Sequence, residues 1–178
     1  MQFQDIKNGR FYLGDCLEVM KEIPDSVIDM ILCDLPYGTT ACSWDSIIPF
    51  EPLWEQYNRI IKPNGAIVLT ASQPFTSALV MSNIEMFRYN WVWKKSKPQG
   101  FLNAKKRPLK DFEDVVLFSK NQPPYFPQGL VKVNKRLKNT GTKNKNSLKQ
   151  NGDKTSSNNS ISNADYVQEN SNYPRGII

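Results

Sequence analysis

Along the first 120 residues apolar positions recur in two rhythms, short continuous runs and helical spacings, and their alternation predicts a wound α/β arrangement. Phe11-Tyr12-Leu13 reads as a short strand ending at Gly14-Asp15. Asp15 is placed to cap the next helix, with Glu18 completing a capping box, and Leu17, Met20 and Ile23 share one face of it. Pro24-Asp25-Ser26 ends that helix, and residues 27–33 form an apolar strand. Phe50, Leu53, Trp54, Tyr57, Ile60 and Ile61 then recur at helical spacing until Pro63-Asn64-Gly65 breaks the pattern. Residues 66–70 read as a buried strand, a helix starts at Pro74 and runs through Phe75, Leu79 and Val80, and residues 89–93 and 115–118 are two further strands. Elements alternating at this spacing predict a mostly parallel sheet covered on both faces.

Beyond Pro127 the pattern dissolves. Lys, Asn, Ser, Thr and Gln dominate residues 132–163, and such a segment buries too little apolar surface to offset its ordering entropy. The expectation there is no fixed structure without a partner, with order returning near Tyr166 and over residues 173–178.

Composition narrows the chemistry. At 178 residues and 39% hydrophobic content the chain can build one sizeable core. Cys16, Cys33 and Cys42 are odd in number and lack metal spacing, which reads as reduced thiols. No apolar run is long enough to span a bilayer and the first five residues lack signal-peptide character, so a soluble, cytoplasmic protein without a membrane partner is expected. Histidine is absent, which excludes Ser-His-Asp hydrolysis, His-based zinc sites and the zinc deaminase pattern. No acid after Pro24-Asp25 has lysine two positions on, as a metal nuclease of that pattern needs, and no metal site is predicted.

The net charge of +6 is unevenly placed. Residues 1–130 balance 14 Lys/Arg against 14 Asp/Glu, whereas residues 131–163 carry eight basic groups against Asp153 alone. Within the neutral part, Lys94, Lys95, Lys97, Lys105, Lys106, Arg107 and Lys110 form a second basic cluster. Such clusters read either as phosphate-contacting surfaces or as solvated surface that binds nothing.

The apolar strand of residues 27–33 runs into Asp34-Leu35-Pro36-Tyr37-Gly38. Wound α/β sheets place their chemistry at the carboxyl ends of strands. An acceptor and a flat ring there could hold the exocyclic amine of a nucleobase swung out of its stack. Taken without its surroundings, the tetrapeptide also reads as a plain strand-to-loop turn. Trp44-Asp45 just beyond it could shape a base pocket, or Trp44 could simply pack on the sheet. Trp91 and Trp93 read as core.

Together, Gly14-Asp15-Cys16-Leu17-Glu18-Val19, the strand with Asp34-Leu35-Pro36-Tyr37-Gly38, and Lys62-Pro63-Asn64-Gly65 with its strand resemble the amino-terminal half of a DNA amino-methyltransferase. The resemblance is to the circularly permuted (beta) class of phage and bacteria, whose catalytic region precedes its cofactor-binding region. Gly100-Phe101-Leu102-Asn103-Ala104-Lys105-Lys106-Arg107-Pro108 and Phe112-Glu113-Asp114 extend the similarity, which covers about residues 10–128. It implies a Rossmann-like sheet, methyl transfer from S-adenosylmethionine to adenine N6 in double-stranded DNA, and the cytoplasm of a bacterial or phage-infected cell. Asp34 and a backbone carbonyl would draw the amine protons, where charge develops. Tyr37 would stack on the base, and Pro36 would fix φ and remove a competing donor. The resemblance further implies that Asp15 contacts the cofactor, whereas local sequence makes it a helix cap. Lys94, Lys95, Lys105, Lys106 and Arg107 are the candidates for phosphate contact.

Two departures qualify this. Leu35 stands where the family usually has a first proline, which keeps the carbonyl and loses some stiffness. The nine glycines contain no Gly-x-Gly, so the family's glycine-rich cofactor loop is absent and the sheet is expected to be incomplete. Residues 1–128 then read as the catalytic half, 129–170 as a basic target-recognition segment and 171–178 as the start of a missing cofactor half. A second chain carrying that half, or a homo-oligomer, is an expected partner, and the missing strands would leave an apolar sheet edge open. The alternative is a catalytically inactive DNA-binding remnant or regulatory module.

Overall fold

The structure, a computed structural model, describes residues 2–137 and 166–177. It divides into two compact units, Met1–Tyr125 with Arg175–Ile178, and Phe126–Pro174.

The first unit opens with a ribbon of β1 (Gln2–Ile6) and β2 (Gly9–Leu13), paired antiparallel and carrying an Arg10–Asp5 ion pair at 2.5 Å. The strand expected at residues 11–13 therefore lies in its own two-stranded sheet rather than in the main one. Asp15 caps α1 (Cys16–Met20), accepting from the backbone N–H of Leu17 at 2.8 Å and of Glu18 at 3.4 Å. The capping box stays half made, because the Glu18 carboxylate takes Lys21 Nζ at 2.6 Å instead.

There follow β3 (Ile28–Asp34), α2 (Phe50–Ile60), β4 (Ile61–Ala71), α3 (Phe75–Ser82), β5 (Phe87–Gln99) and β6 (Lys110–Phe118). The four strands lie in the order β3-β4-β6-β5. β3 runs parallel to β4, but β6 runs antiparallel to both of its neighbours. The sheet is mixed, which corrects the expectation of a mostly parallel one. A parallel return needs a crossover of a dozen or more residues, usually helical. Between β5 and β6 there is only a one-turn 3₁₀ segment, Phe101–Asn103, so the chain doubles back as a hairpin.

Alternation along the strands decides where the core sits. Ile67, Leu69 and Ala71 of β4 and Val116 and Phe118 of β6 are fully buried, in one cluster with Leu53, Trp54, Tyr57 and Ile60 of α2 and Phe75 and Leu79 of α3. Phe118 lies between Trp54, at 4.9 Å between ring centroids, and Phe87, at 6.0 Å. Arg59 of α2 donates to the Met20 carbonyl at 2.6 Å, the Ile23 carbonyl at 2.7 Å and Asp25 at 2.6 Å, tying the end of the α1 segment to α2. Among the described residues the helices cover this one face. On the other, Met30 and Leu32 of β3 remain 54% and 66% exposed, so the expectation of cover on both faces is not met along β3. β3 is also an edge strand. The opposite edge, β5, is joined by the last described residues, with Val92 N–H donating to the Gly176 carbonyl at 2.7 Å.

The second unit holds β7 (Val131–Leu137) paired antiparallel with β8 (Tyr166–Ser171). The Lys/Asn-rich composition hid the first of these strands: residues 132–137, where no fixed structure was expected, pair through a register shift between Lys132 and Lys135 with the segment at Tyr166, where order was expected. The rest of that expectation, residues 138–163, lies outside the described residues.

β4 begins at Ile61, five residues before the expected strand, and bulges. The register passes from Ile28↔Ile61 to Met30↔Ala66, so residues 62–65 arch out of the ladder. A Cβ on Gly65 would sit 2.6 Å from Ile61 Cγ1 and 2.9 Å from the Asp29 carbonyl oxygen, so the arch closes only on glycine. Gly65→Ala is therefore expected to destabilise the fold by about 1–3 kcal/mol, read as a lowered urea midpoint, and an unchanged midpoint would refute this account of the bulge.

Candidate active site

The parallel register of β3 and β4 sets Asp34 opposite Thr70 at the carboxyl end of both strands. Asp34 Oδ1 accepts the Thr70 hydroxyl, and the Tyr37 phenol lies 2.8 Å from both Asp34 Oδ1 and Thr70 Oγ1. The two hydroxyls fix the rotation of the carboxylate on one oxygen. Oδ2 and the Leu35 carbonyl accept no hydrogen bond among the described residues, so two acceptors stand open beside each other in sequence. Burial pushes the Tyr37 phenol up from its ordinary value, which keeps it a neutral donor.

The other residues of the tetrapeptide anchor this corner. Leu35 is buried in the core cluster. The stiffness that a proline would give is thus supplied by packing, a role that the sequence reading missed. The Tyr37 ring stacks on Phe75 at 5.2 Å and 27°, which uses one of its faces and leaves at most the other for a base. Thr70 was also missed, because it reaches Asp34 only through the strand pairing.

After Pro36 the chain turns through Gly38 at φ +66°. Asp45, 8% exposed, folds back under this loop and accepts the backbone N–H of Gly38 at 2.8 Å, Thr39 at 2.9 Å and Thr40 at 2.7 Å. Hydrogen bonding from the Thr40 side chain foremost, then from the Thr40, Gly38 and Thr39 backbone N–H groups, holds its carboxyl down to about 2. The result is a cavity of about 290 Å³ lined by Asp34, Leu35, Pro36 and Tyr37 on one side and by Thr39, Thr40, Trp44 and Asp45 on the other.

The remaining candidates lie elsewhere. Asp15 is occupied with capping α1, and no hydrogen bond joins it to the Asp34 loop among the described residues. Lys94 is exposed on β5, and Lys105, Lys106 and Arg107 are exposed after the 3₁₀ turn. Lys95 differs from them. Its ammonium pairs with Glu113 across the β5–β6 hairpin and lies 5.3 Å over the Trp93 ring, so its charge is already matched. Trp93 itself is exposed, not core. Asp114 is buried and accepts Thr76 at 2.8 Å and Asn90 at 3.2 Å. Among the described residues no group of three or more acids and thiols could hold a metal ion, and no helix is long and apolar enough to cross a membrane.

The family model described as DNA methylase, of the N6/N4 type, matches residues 28–174. A Type II methyltransferase, M.BamHI of Bacillus amyloliquefaciens, is 30% identical over a stretch covering 34% of this chain and 17% of that relative. Among solved structures, an M1.HpyAVI–SAM complex is 21% identical with a TM-score of 0.45, over 62% of this chain and 56% of that one. The cytosine-N4-specific PvuII DNA methyltransferase is 16% identical with a TM-score of 0.48, over 64% and 49%. The chain thus spans about half the length of these solved proteins and a smaller part of the curated relative.

The buried Asp45 carboxylate gives the loop a pH signature. Its folded value of about 2 lies below the ordinary 3.8, so its contribution is complete above the ordinary value and is lost as pH falls through the folded one. Asp45→Asn should be less stable than the native chain at pH 7, and the gap between their urea midpoints should close between about pH 4 and pH 2. A gap independent of pH would rule out the carboxylate as its source.

Proposed function

This chain belongs to the N6/N4 DNA methylase family, and we propose that it carries the half of the site that recognises the acceptor amine, adenine N6 in double-stranded DNA. The observation that supports this most is the Asp34 carboxylate, held on Oδ1 by Tyr37 and Thr70 with Oδ2 and the Leu35 carbonyl left as acceptors. An aromatic amine is a weak nucleophile because its lone pair is delocalised into the ring. Two acceptors drawing its hydrogens return electron density to nitrogen as attack proceeds, and they act most where positive charge develops. The open face of Tyr37 would cover the base, and Pro36 keeps a backbone N–H from competing for the acceptors.

Enzymes of this family take their methyl group from S-adenosylmethionine, which supplies an electrophilic methyl. The residues of this chain fit the amine side of that reaction and not the donor side. None of the nine glycines forms the Gly-x-Gly by which backbone approaches such a ligand, and Asp15 already engages α1. We therefore assign donor binding to residues outside this chain's own site, with the free edge of β3 as the place where further strands would pair. By itself the chain is expected to bind the donor weakly or not at all. Lys94, Lys105, Lys106 and Arg107 remain the candidates for phosphate contact, and Lys95 is reassigned to pairing with Glu113.

Methyl incorporation from labelled S-adenosylmethionine into duplex DNA, measured for the chain alone and mixed with a polypeptide carrying a glycine-rich donor half, tests the assignment. Activity is expected in the mixture only, as N6-methyladenine, with Asp34→Ala lowering it about 10³-fold. Turnover that survives Asp34→Ala would sink the mechanism, N4-methylcytosine would sink the choice of base, and DNA binding without activity in either case would favour a binding module.

Joint replacement of Lys105, Lys106 and Arg107 by glutamine should weaken DNA binding and flatten its dependence on log salt by up to about three units of slope. Lys95→Gln should change the slope little and lower the melting temperature instead.

A further inference from the structure

Trp44 is 73% exposed, although the loop that carries it is fixed at several points. Asp45 N–H donates to the Cys42 carbonyl at 3.0 Å, closing a turn whose central residues are Ser43 and Trp44. The Asp45 carboxylate locks residues 38–40 beneath it, and Ile47 fills the space beside Gly38 to within 3.0 Å of where a Cβ would lie. The backbone on both sides of Trp44 is thus fixed, and the indole stands exposed rather than packed on the sheet. The other tryptophans are engaged. Trp54 is buried with its N–H on Ser82 at 2.8 Å, Trp91 meets Tyr89 edge-on, and Trp93 carries Lys95. Among the described residues Trp44 makes no aromatic pair, no cation–π contact and no hydrogen bond from its ring nitrogen. An exposed apolar side chain standing alone is ordinary on a protein surface. This one lines the same cavity as Asp34, Pro36 and Tyr37.

We propose that Trp44 is a base-stacking residue of this site, lying against a nucleobase whose amine meets Asp34. This rests on the reading of the cavity as a nucleobase site. Every base offers a π-face, so stacking requires bases but not a particular sequence, and it can be measured without knowing the target. Phosphate attraction, in contrast, is the same whether bases are present or not.

The test is anisotropy titration of the 178-residue chain with two labelled single strands of equal length, one of deoxyadenosine and one of abasic residues. The intact chain should prefer the adenine strand by about tenfold or more. Trp44→Ala and Trp44→Gln should reduce the preference to about twofold or less, and Trp44→Phe should keep most of it. The abasic affinity and the far-ultraviolet spectrum should stay unchanged in all three. Undiminished preference in both Trp44→Ala and Trp44→Gln would overturn the role of Trp44 and leave the nucleobase reading standing. No preference in the intact chain would overturn the stacking proposal, and failure to bind either strand would overturn the functional reading together with it.

Discussion

The parallel pairing of β3 with β4 is the constraint on which this site depends. It sets Asp34 against Thr70, and the same register sends Ile31 and Cys33 toward the helices alongside Ile67 and Leu69. Strand side chains alternate with a period of two, so a slip of one residue would turn Asp34 into the core and Cys33 to the surface. The bulge at residues 62–65 absorbs the mismatch at the start of the two strands, which frees the pairing to be regular at the end that carries Asp34. Gly65, far from Asp34, thereby contributes to its placement.

The same pairing explains why the site is open. β3 uses one edge for β4 and has no partner on the other among the described residues, and its outer face keeps Met30 and Leu32 in contact with solvent. At its tip, Asp34 is braced by β4 through Thr70 and by the Tyr37–Phe75 stack. A long exposed edge flanked by apolar side chains invites pairing with another strand. Asp34, Leu35 and Tyr37 are thus assembled on a sheet whose β3 edge and outer face are open among the described residues.

How much of this was legible depended on how local each cause was. An apolar run ending in Asp34-Leu35-Pro36-Tyr37 announces a strand end with an acceptor and a ring, and the structure puts them there. Thr70 could not be read the same way, because its part comes from strand register across 36 residues. Lys95 looked free in a run without acids, and its partner Glu113 arrives from the next strand. The mixed sheet went unread because the segment between β5 and β6 was not weighed for length: without room for a helix, it can return only antiparallel. The alternation of Val131 and Val133 with polar residues was a strand signal masked by the lysines around it.

Two carboxylates in this loop show how surroundings divide identical chemistry into different tasks. Asp45 accepts Gly38 on one oxygen and Thr39 and Thr40 on the other, so both oxygens are committed to holding backbone. Its charge is strongly favoured where it sits, and a further donor could reach it only by displacing bonds that keep the loop in place. Asp34 has its bonds gathered on Oδ1, both from hydroxyls, and presents Oδ2 at the cavity wall. Between the two, only Asp34 can accept a new donor without cost to the fold. The division runs one way, since the loop that Asp45 fixes forms the far wall of the space into which Asp34 faces. Asp45 is therefore structural so that Asp34 can remain available, and the sequence, which places both acids within a dozen residues, does not by itself say which is which.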